Sequence, residues 1–452
     1  EFKFSWNKTG NFSNFLNYNA RDCAVTYEVD EEQEKDLIEL GDKFKVPLKS
    51  YYYDYMMKKH KFYLKLETTG KLVDLDIQKE LKIKYTLMQE EVHERLIKNI
   101  GHDINVKSYP NVFELLYKEM KFKIRKRDPT SEDTIVAILG NHAKRKEHIV
   151  ILQDLLEERR IRDQKSRQIS FCPDYDGRCK SAYNISATET CRSSTGILKK
   201  PLRPKKIGLA DHTISAHGRL AKDIKSMFIC DPGKVIIQVD ASQAEARIVA
   251  VLSEDWELLE AFDKIDIHRR TAGLMFGYTN KLELSSDFKH PVIDKLPKDG
   301  PERFTGKMIR HACNYDMKKH TLMVSFNTNA QKFEIPMSIS EWRASQMIDL
   351  FHNASPKIKG VFHAEIKSAL DSSRVLIDPF GGVRIFNGRS DDSLYGEGYA
   401  NIPQRTVAHL VQGAALKIDE ELNGDKSFLW AEEKHDALYL QVQMPLNINC
   451  DN

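Results

Sequence analysis

The amino-acid sequence predicts an α+β protein, on three observations. Long charged stretches with helical spacing run from Val46 to about Arg167 and again from Ser242 to about Leu370. Between them, the apolar run Lys234-Val-Ile-Ile-Gln-Val239 has the length of a buried strand and stops at Asp240. Further on, Phe428-Leu-Trp430 and Leu438-Tyr-Leu-Gln-Val442 flank the polar tip Lys434-His435-Asp436-Ala437, which is the layout of a hairpin. At 452 residues the chain exceeds what one compact core serves, so roughly two to four packed subdomains are expected.

Residues 1–45 read as a short segment ending in a helix, with Tyr18, Asp22 and Tyr27 ahead of the charged run Glu28 to Asp36, like the tail of a domain. The charged helices that follow break near Gly70, Gly101 and Pro110 and at Arg127-Asp-Pro-Thr-Ser131, and their composition suits arms rather than cores. Short strands and loops are expected between Gln168 and Pro232. The basic, Pro-containing stretch Lys199 to Lys206 there reads equally as a phosphate contact or a solvated loop. After the helices to Leu370 come an extended segment from Arg374 to Phe386, a helix from Gln404 to Leu422, and the hairpin.

Composition excludes more than it assigns. Lys and Arg number 69 against 66 Asp and Glu, so the net charge of +3 carries no bulk signature of nucleic-acid binding. The seven cysteines show no Cys-x-x-Cys pair, which argues against a zinc site and for reduced thiols in the cytoplasm. No apolar stretch approaches the roughly 18 residues of a membrane span, and Glu-Phe-Lys-Phe at the start lacks a signal-peptide layout, so no membrane partner is expected.

Three constellations carry chemistry. In Asp240-Ala-Ser-Gln-Ala-Glu245-Ala-Arg247, Ser242 and Glu245 fit a Ser-x-x-Glu capping box. A cap leaves Asp240 unexplained, because a carboxylate closing an apolar strand is costly to bury without a cation or donors. Asp436 at the hairpin tip is a turn former when taken alone. Asp240 and Asp436 meeting on one sheet would instead offer hard oxygen ligands to Mg²⁺. Third, Arg303, Lys307, His311 and Tyr315 follow at four-residue spacing. Each step of four turns a helix by only about 40°, so they form one stripe with Ile309, Ala312 and Cys313 on the far side. Two cations followed by two rings suit a triphosphate, a sugar and a base.

These three blocks resemble motifs A, B and C of the family A DNA polymerases, in the family's order. Asp176-Gly-Arg with Tyr183, leading to Thr188-Glu-Thr-Cys-Arg192-Ser-Ser194, resembles the segment whose Arg meets the primer terminus in the minor groove. Asp266-Ile-His268 resembles the helix entry whose His approaches the triphosphate, and Gln404-x-Thr406 the helix whose Gln reads the minor groove. Asp103 to Leu139 resembles the thumb, with Lys165 at a DNA-contacting Lys. Tyr18-x-x-x-Asp22 resembles the last motif of the family's 3′→5′ exonuclease domain.

The resemblance implies a right-hand fold. Residues 1–45 would be an exonuclease remnant, 46–170 the thumb, 171–242 and 371–452 the two parts of a palm built on an antiparallel sheet, and 243–370 the helical fingers. It implies template-directed DNA synthesis from deoxynucleoside triphosphates on primer-template DNA, with two Mg²⁺ ions, for which Mn²⁺ substitutes. Asp240, Ala241 and Asp436 are the implied metal positions, and Asp240, Asp436 and Lys307 the catalytic ones. Arg303, His268, Gln243, Glu245, His311 and Tyr315 would bind nucleotide. Arg192, Thr188, Lys165, Gln404 and His435 would bind DNA, helped by the basic stretches Lys121 to Arg127 and Lys199 to Lys206.

Departures from the pattern are Ala241 for Tyr, His311 for an aromatic, Asp316 for Gly, Ala437 for the second acid of motif C, and Cys191 for the Gly before Arg192. Ala437 leaves Asp240 and Asp436 as the essential carboxylates. The Pro403-Gln404 spacing resembles phage replicative members, whose setting would be a bacterial host cytoplasm. Sixteen residues follow Asp436, fewer than the family's last strand and helix occupy. The competing readings are a single-subunit RNA polymerase, against which Glu245 stands, and an inactive nucleic-acid-binding relative, against which Asp240 and Asp436 stand.

Overall fold

The computed structural model describes residues 12–123, 128–141, 143, 145–197, 208–214 and 219–444. The basic run Lys199 to Lys206 lies outside the described residues, as do Cys450 and the last four residues of the stretch Lys121 to Arg127.

Helices dominate, and the sequence marks their ends. Asp74 caps the helix Leu75–Ile100, its carboxylate accepting from the backbone N–H groups of Asp76 and Ile77 at 3.0 Å. Gly101 stops that helix in the left-handed region at φ 91°, and Gly70 stops Met57–Thr69 at φ 64°. Leu75–Ile100 packs on Lys146–Gln164, and with Tyr109–Phe113 and Glu132–Asn141 they enclose Leu96, Val112, Leu115, Leu116, Ile135 and Leu152. These side chains are almost fully buried, each worth roughly 1.5–3 kcal/mol for its apolar surface. The charged helices therefore hold a core of their own, where arms without one were expected.

A second core joins the helices from Ala244 to Ser372 with the start of Asp392–Glu421. Within it Ile267–Met275 and Pro301–Asn314 approach so closely that a Cβ on Gly306 would lie 2.1 Å from the carbonyl oxygen of His268.

Strands are short. β1 (Lys71–Val73) pairs with β2 (Arg178–Cys179) and β5 (Phe228–Ile229), β3 (Ala182–Asn184) with β4 (Ser194–Gly196), and β7 (Val375–Ile377) with β8 (Val383–Ile385). The fourth sheet, with the longest strands, is antiparallel with order β6-β10-β9, from β6 (Lys234–Asp240), β9 (Phe428–Lys434) and β10 (Ala437–Gln443).

Four sequence expectations are corrected. β6 was read as a buried strand from its apolar run, but it pairs with β10 alone among the described residues and leaves Ile236, Ile237 and Val239 exposed at 41%, 43% and 52%. The helix expected from Gln404 begins instead at Asp392, capped by Asp391, and runs through Pro403 to Glu421. Residues 12–44 form one exposed 33-residue helix, not a segment that merely ends in one. Finally, the region of short strands also contains the helix Arg219–Ser226.

Candidate active site

The central sheet brings the two aspartates together. Register sets Asp240 of β6 opposite Ala437 of β10, and the N–H of Ala241 donates to the carbonyl of Asp436 at 2.9 Å. Lys434 pairs with Ala437, so His435 and Asp436 alone make the hairpin loop, with His435 in the left-handed region at φ 59°. Burial pushes the Asp436 carboxyl above its usual range, and the neighbouring charge of Asp240 adds to it. No cluster of three or more His, Cys, Asp and Glu able to hold a metal is found among the described residues. Two acids on adjacent strands, with no cationic side chain bonded to either among the described residues, fit a hard divalent cation that takes its other ligands from substrate and water.

Glu245 starts the helix Ala244–Leu252, one turn beyond Asp240. The expected capping box does not form. Gln243 is the N-cap, at φ 53°, and no side chain caps the helix. Glu245 instead accepts from the guanidinium of Arg192 on one oxygen and from the hydroxyl of Tyr315 on the other. These partners lie far off in sequence and bind the carboxylate more strongly than a local N–H, because one is charged. Burial alone would raise the Glu245 carboxyl, but Arg192 and Tyr315 outweigh it and hold it below the ordinary range. Gln404 lies within hydrogen-bonding reach of the Tyr315 hydroxyl, and the His311 ring meets the Tyr315 ring edge-on at 5.2 Å.

The helix Pro301–Asn314 displays three of the four stripe residues, with Lys307 and His311 exposed, Arg303 partly buried, and Ile309, Ala312 and Cys313 buried; Tyr315 follows the helix as its C-cap and is buried. Arg303 is tied to Asp266, its Nε donating at 2.7 Å. Asp266 in turn caps Ile267–Met275, accepting from the N–H groups of His268 and Arg269 at 3.0 and 3.1 Å. Arg303 and His268 thus come from two helices fixed through one carboxylate. Burial, then the positive charges of Arg310 and Arg303, pushes the His268 imidazole down to about 3, so it is neutral at pH 7.

Arg192 Nε, Gln243 Oε1 and His268 Nδ1 are buried without a hydrogen-bond partner among the described residues. Such atoms cost about 1–3 kcal/mol each, a cost that a ligand atom bonded to them would offset.

Other expected residues stand elsewhere. Thr188 donates to the carbonyl of Arg192 at 2.7 Å and so shapes the loop presenting Arg192. Lys165 follows the helix Lys146–Gln164 and donates to Gln89 at 3.4 Å, away from the sheet. His435 stacks obliquely against His212 at 5.2 Å. Tyr18, 64% exposed, and Asp22 sit on the helix Phe12–Phe44, and no contact joins their side chains to the aspartate pair.

Among the buried charge sets that sequence reasoning missed, two lie beside the motifs. Arg310 is 1% exposed, donates to the Thr271 hydroxyl at 3.0 and 3.2 Å, and lies over the Phe351 ring. Lys71 bridges Asp211 and Glu432 at 2.9 Å each, fixing β1 to β9. Arg310 betrays itself by following Ile309 on the apolar side of the stripe; the Lys71 set leaves no local signal.

A family model described as DNA polymerase family A matches residues 75–444. DNA polymerase I, thermostable, of Thermus aquaticus is 25% identical over 319 residues, covering 68% of this chain and 33% of the relative. DNA polymerase I of Helicobacter pylori is 23% identical over 388 residues, covering 84% and 38%. The chain thus spans about a third of the length of the curated relatives it matches. Among solved structures, the POL domain of Pol1 from M. smegmatis, in complex with DNA primer-template and dNTP, shares the fold at TM-score 0.69 and 19% identity, over 89% of this chain and 66% of that one. With motifs A, B and C converging on one sheet and its flanking helices, and the family model spanning 370 of 452 residues, the chain belongs to DNA polymerase family A.

Proposed function

We propose that the chain extends a primer 3′-hydroxyl on a DNA template, consuming deoxynucleoside triphosphates and releasing pyrophosphate. The observation that carries this reading is the meeting of Asp240 and Asp436 on adjacent strands beside the Glu245–Tyr315 hydrogen bond. Asp240, Asp436 and the backbone carbonyl of Ala241 would hold two Mg²⁺ ions, with Mn²⁺ as substitute. When bound, the ions activate the 3′-hydroxyl and neutralise the leaving pyrophosphate.

Each side chain then has a stated task. Lys307, exposed on the stripe, stabilises charge on the triphosphate and stands ready as proton donor. Arg303 grips the outer phosphates as a cation, and the neutral His268 does so as a hydrogen-bond donor. His311 and Tyr315 pack by the sugar and base, and Glu245 lies under the sugar. Gln243 offers its unpartnered oxygen to the incoming nucleotide. Arg192, Gln404 and His435 follow the primer terminus, with Thr188 steadying the loop that carries Arg192, and Lys165 contacts duplex from the thumb.

The proposed division is thumb 46–170, palm 171–242 with 371–452, and fingers 243–370, with 1–45 as an exonuclease-domain remnant. No described helix is long and apolar enough to cross a membrane, and we place the activity in the cytoplasm, of a bacterial host if phage-encoded. Extension of a labelled primer on a DNA template, with Mg²⁺ and each nucleotide type in turn, tests the proposal. Growth with deoxynucleotides that disappears in Asp240→Asn is the expected result, and no growth under any condition would overturn it.

A further inference from the structure

Lys59 is 0% exposed, on the helix Met57–Thr69, which carries none of the residues assigned to metal, nucleotide or DNA. Its ammonium donates to two backbone carbonyls, those of Ile185 at 3.3 Å and Cys191 at 2.9 Å. Both belong to the connection between β3 and β4, the loop that presents Arg192. Lys59 therefore ties the start of that loop to the residue directly before Arg192. The rings of Tyr55 and Tyr63 each lie 5.9 Å from the ammonium, and no ion pair to Lys59 is found among the described residues. A lysine taken out of water without a carboxylate destabilises more than an apolar side chain of the same length would. Burial pulls this ammonium down to about 8, so it is still charged at pH 7.

The loop needs to be held. Cys191 sits at φ 57°, in the left-handed region that side chains disfavour, and a relaxation there would turn Arg192 with it. Its carbonyl takes a second donor, Gln412 Nε2 at 3.2 Å, and the Tyr55 hydroxyl, donating to Gln412 Oε1 at 2.6 Å, fixes which way that amide faces. Arg192 gives Nη2 to Glu245 and keeps Nε buried without a partner among the described residues. A fixed, unpartnered N–H suits the acceptor atoms that every base pair offers in the minor groove, purine N3 and pyrimidine O2.

We propose that Lys59 is a positioning residue for primer extension, which rests on the reading above that Arg192 follows the primer terminus. By fastening the loop at Ile185 and at Cys191, Lys59 aims the Arg192 guanidinium at that terminus. The bland alternative is a strut between elements, of the kind Lys71 makes. Lys71 bridges two carboxylates, and although burial lowers its ammonium, Asp211 and Glu432 raise it further. Lys59 instead spends its charge on two points of a single loop, the second of them one residue from Arg192.

The test is a double-mutant cycle in the full chain, on the single-turnover rate of nucleotide addition to a primed DNA template: wild type, Lys59→Met, Arg192→Ala and the double variant. Arg192→Ala is expected to slow addition at least about tenfold, and Lys59→Met at least about fivefold. With Arg192 gone, the loss of Lys59 should matter little, and the double variant should stay within about twofold of Arg192→Ala. A general loss of folded protein would lower both backgrounds by the same factor, so the cycle separates aiming from stability. The same factor lost in both backgrounds, or Lys59→Met at the wild-type rate, overturns the proposal and leaves the reading of Arg192 standing. Arg192→Ala at the wild-type rate overturns that reading and the proposal with it. Should Lys59→Met not fold, Lys59→Gln, which keeps a donor for one carbonyl, enters the same cycle with the same outcomes.

Discussion

The hydroxyl of Tyr315 donates to Oε2 of Glu245 while Arg192 takes Oε1, so one carboxylate ties the end of the stripe helix to the loop that presents Arg192. Because Glu245 caps nothing, its removal is not a lost helix cap. Glu245→Ala should raise the kcat/KM for ribonucleotides relative to deoxynucleotides by at least about tenfold, roughly 1.4 kcal/mol. The intact side chain, held in place by Arg192 and Tyr315, would collide with a 2′-hydroxyl and strand a buried polar atom. An unchanged ratio would reduce Glu245 to a clamp for Arg192.

Asp240→Asn and Asp436→Asn remove charge at nearly constant volume from a pair joined by the Ala241–Asp436 backbone bond. Each should abolish primer extension, while thermal unfolding and primer-template affinity stay close to wild type. Extension near the normal rate by either variant would end the assignment of the metal site.

Gly306→Ala tests the helix contact behind the phosphate grip. Its Cβ would meet the His268 carbonyl oxygen at 2.1 Å and the Ala272 nitrogen at 2.8 Å, both backbone atoms that cannot rotate away. The two helices must part, at a cost of about 1–3 kcal/mol. His268 and Arg303 ride on them, so the KM for nucleotide should rise together with the loss in Tm. A lowered Tm with unchanged KM would separate packing from nucleotide binding.

Glu433 supplies a pH test. It accepts from the Tyr63 hydroxyl at 2.8 Å and from the Ser193 hydroxyl, and burial pushes it up to about 7 from 4.5. The folded state therefore holds a proton that the unfolded chain has released. Its contribution to stability is complete below about pH 4.5 and is lost as pH rises through 7, on the order of 1–3 kcal/mol. Denaturant unfolding from pH 4.5 to 8 should show this decline in wild type and not in Glu433→Gln. Equal slopes would mean that Glu433 is already ionised at the lower end.

What the sequence made legible was local. The strand ending in Asp240, the hairpin tip at Asp436, the stripe from Arg303 to Tyr315, and the helix stops at Gly70 and Gly101 each follow from spacing or from a residue's own backbone preference. Contacts across long separations left no such trace: Arg192 with Glu245, or Lys71 with Glu432, are fixed only by tertiary packing. The start of the last long helix was placed at Gln404, twelve residues late, with Pro403 just outside it. The helix runs through Pro403 because its first turns are held by packing, with Gly398 so close that a Cβ there would lie 2.6 Å from Leu370 Cδ1. Apolar composition misled at β6, since a run of Val and Ile has the same pattern in the middle of a sheet and at its rim.

That position at the rim has a further consequence. β6 carries Asp240 at its end, yet its alignment is set by one ladder, seven residue pairs from Asp240–Ala437 to Lys234–Gln443, with no second neighbour among the described residues to oppose sliding. Side chains alternate faces along a strand, so a slip by one position would turn Asp240 away from Asp436 without breaking the fold. The distance between the two acids is thus a property of strand register, and substitutions at Ile236 or Val239, remote from any nucleotide, become candidates for altering catalysis by unsettling it.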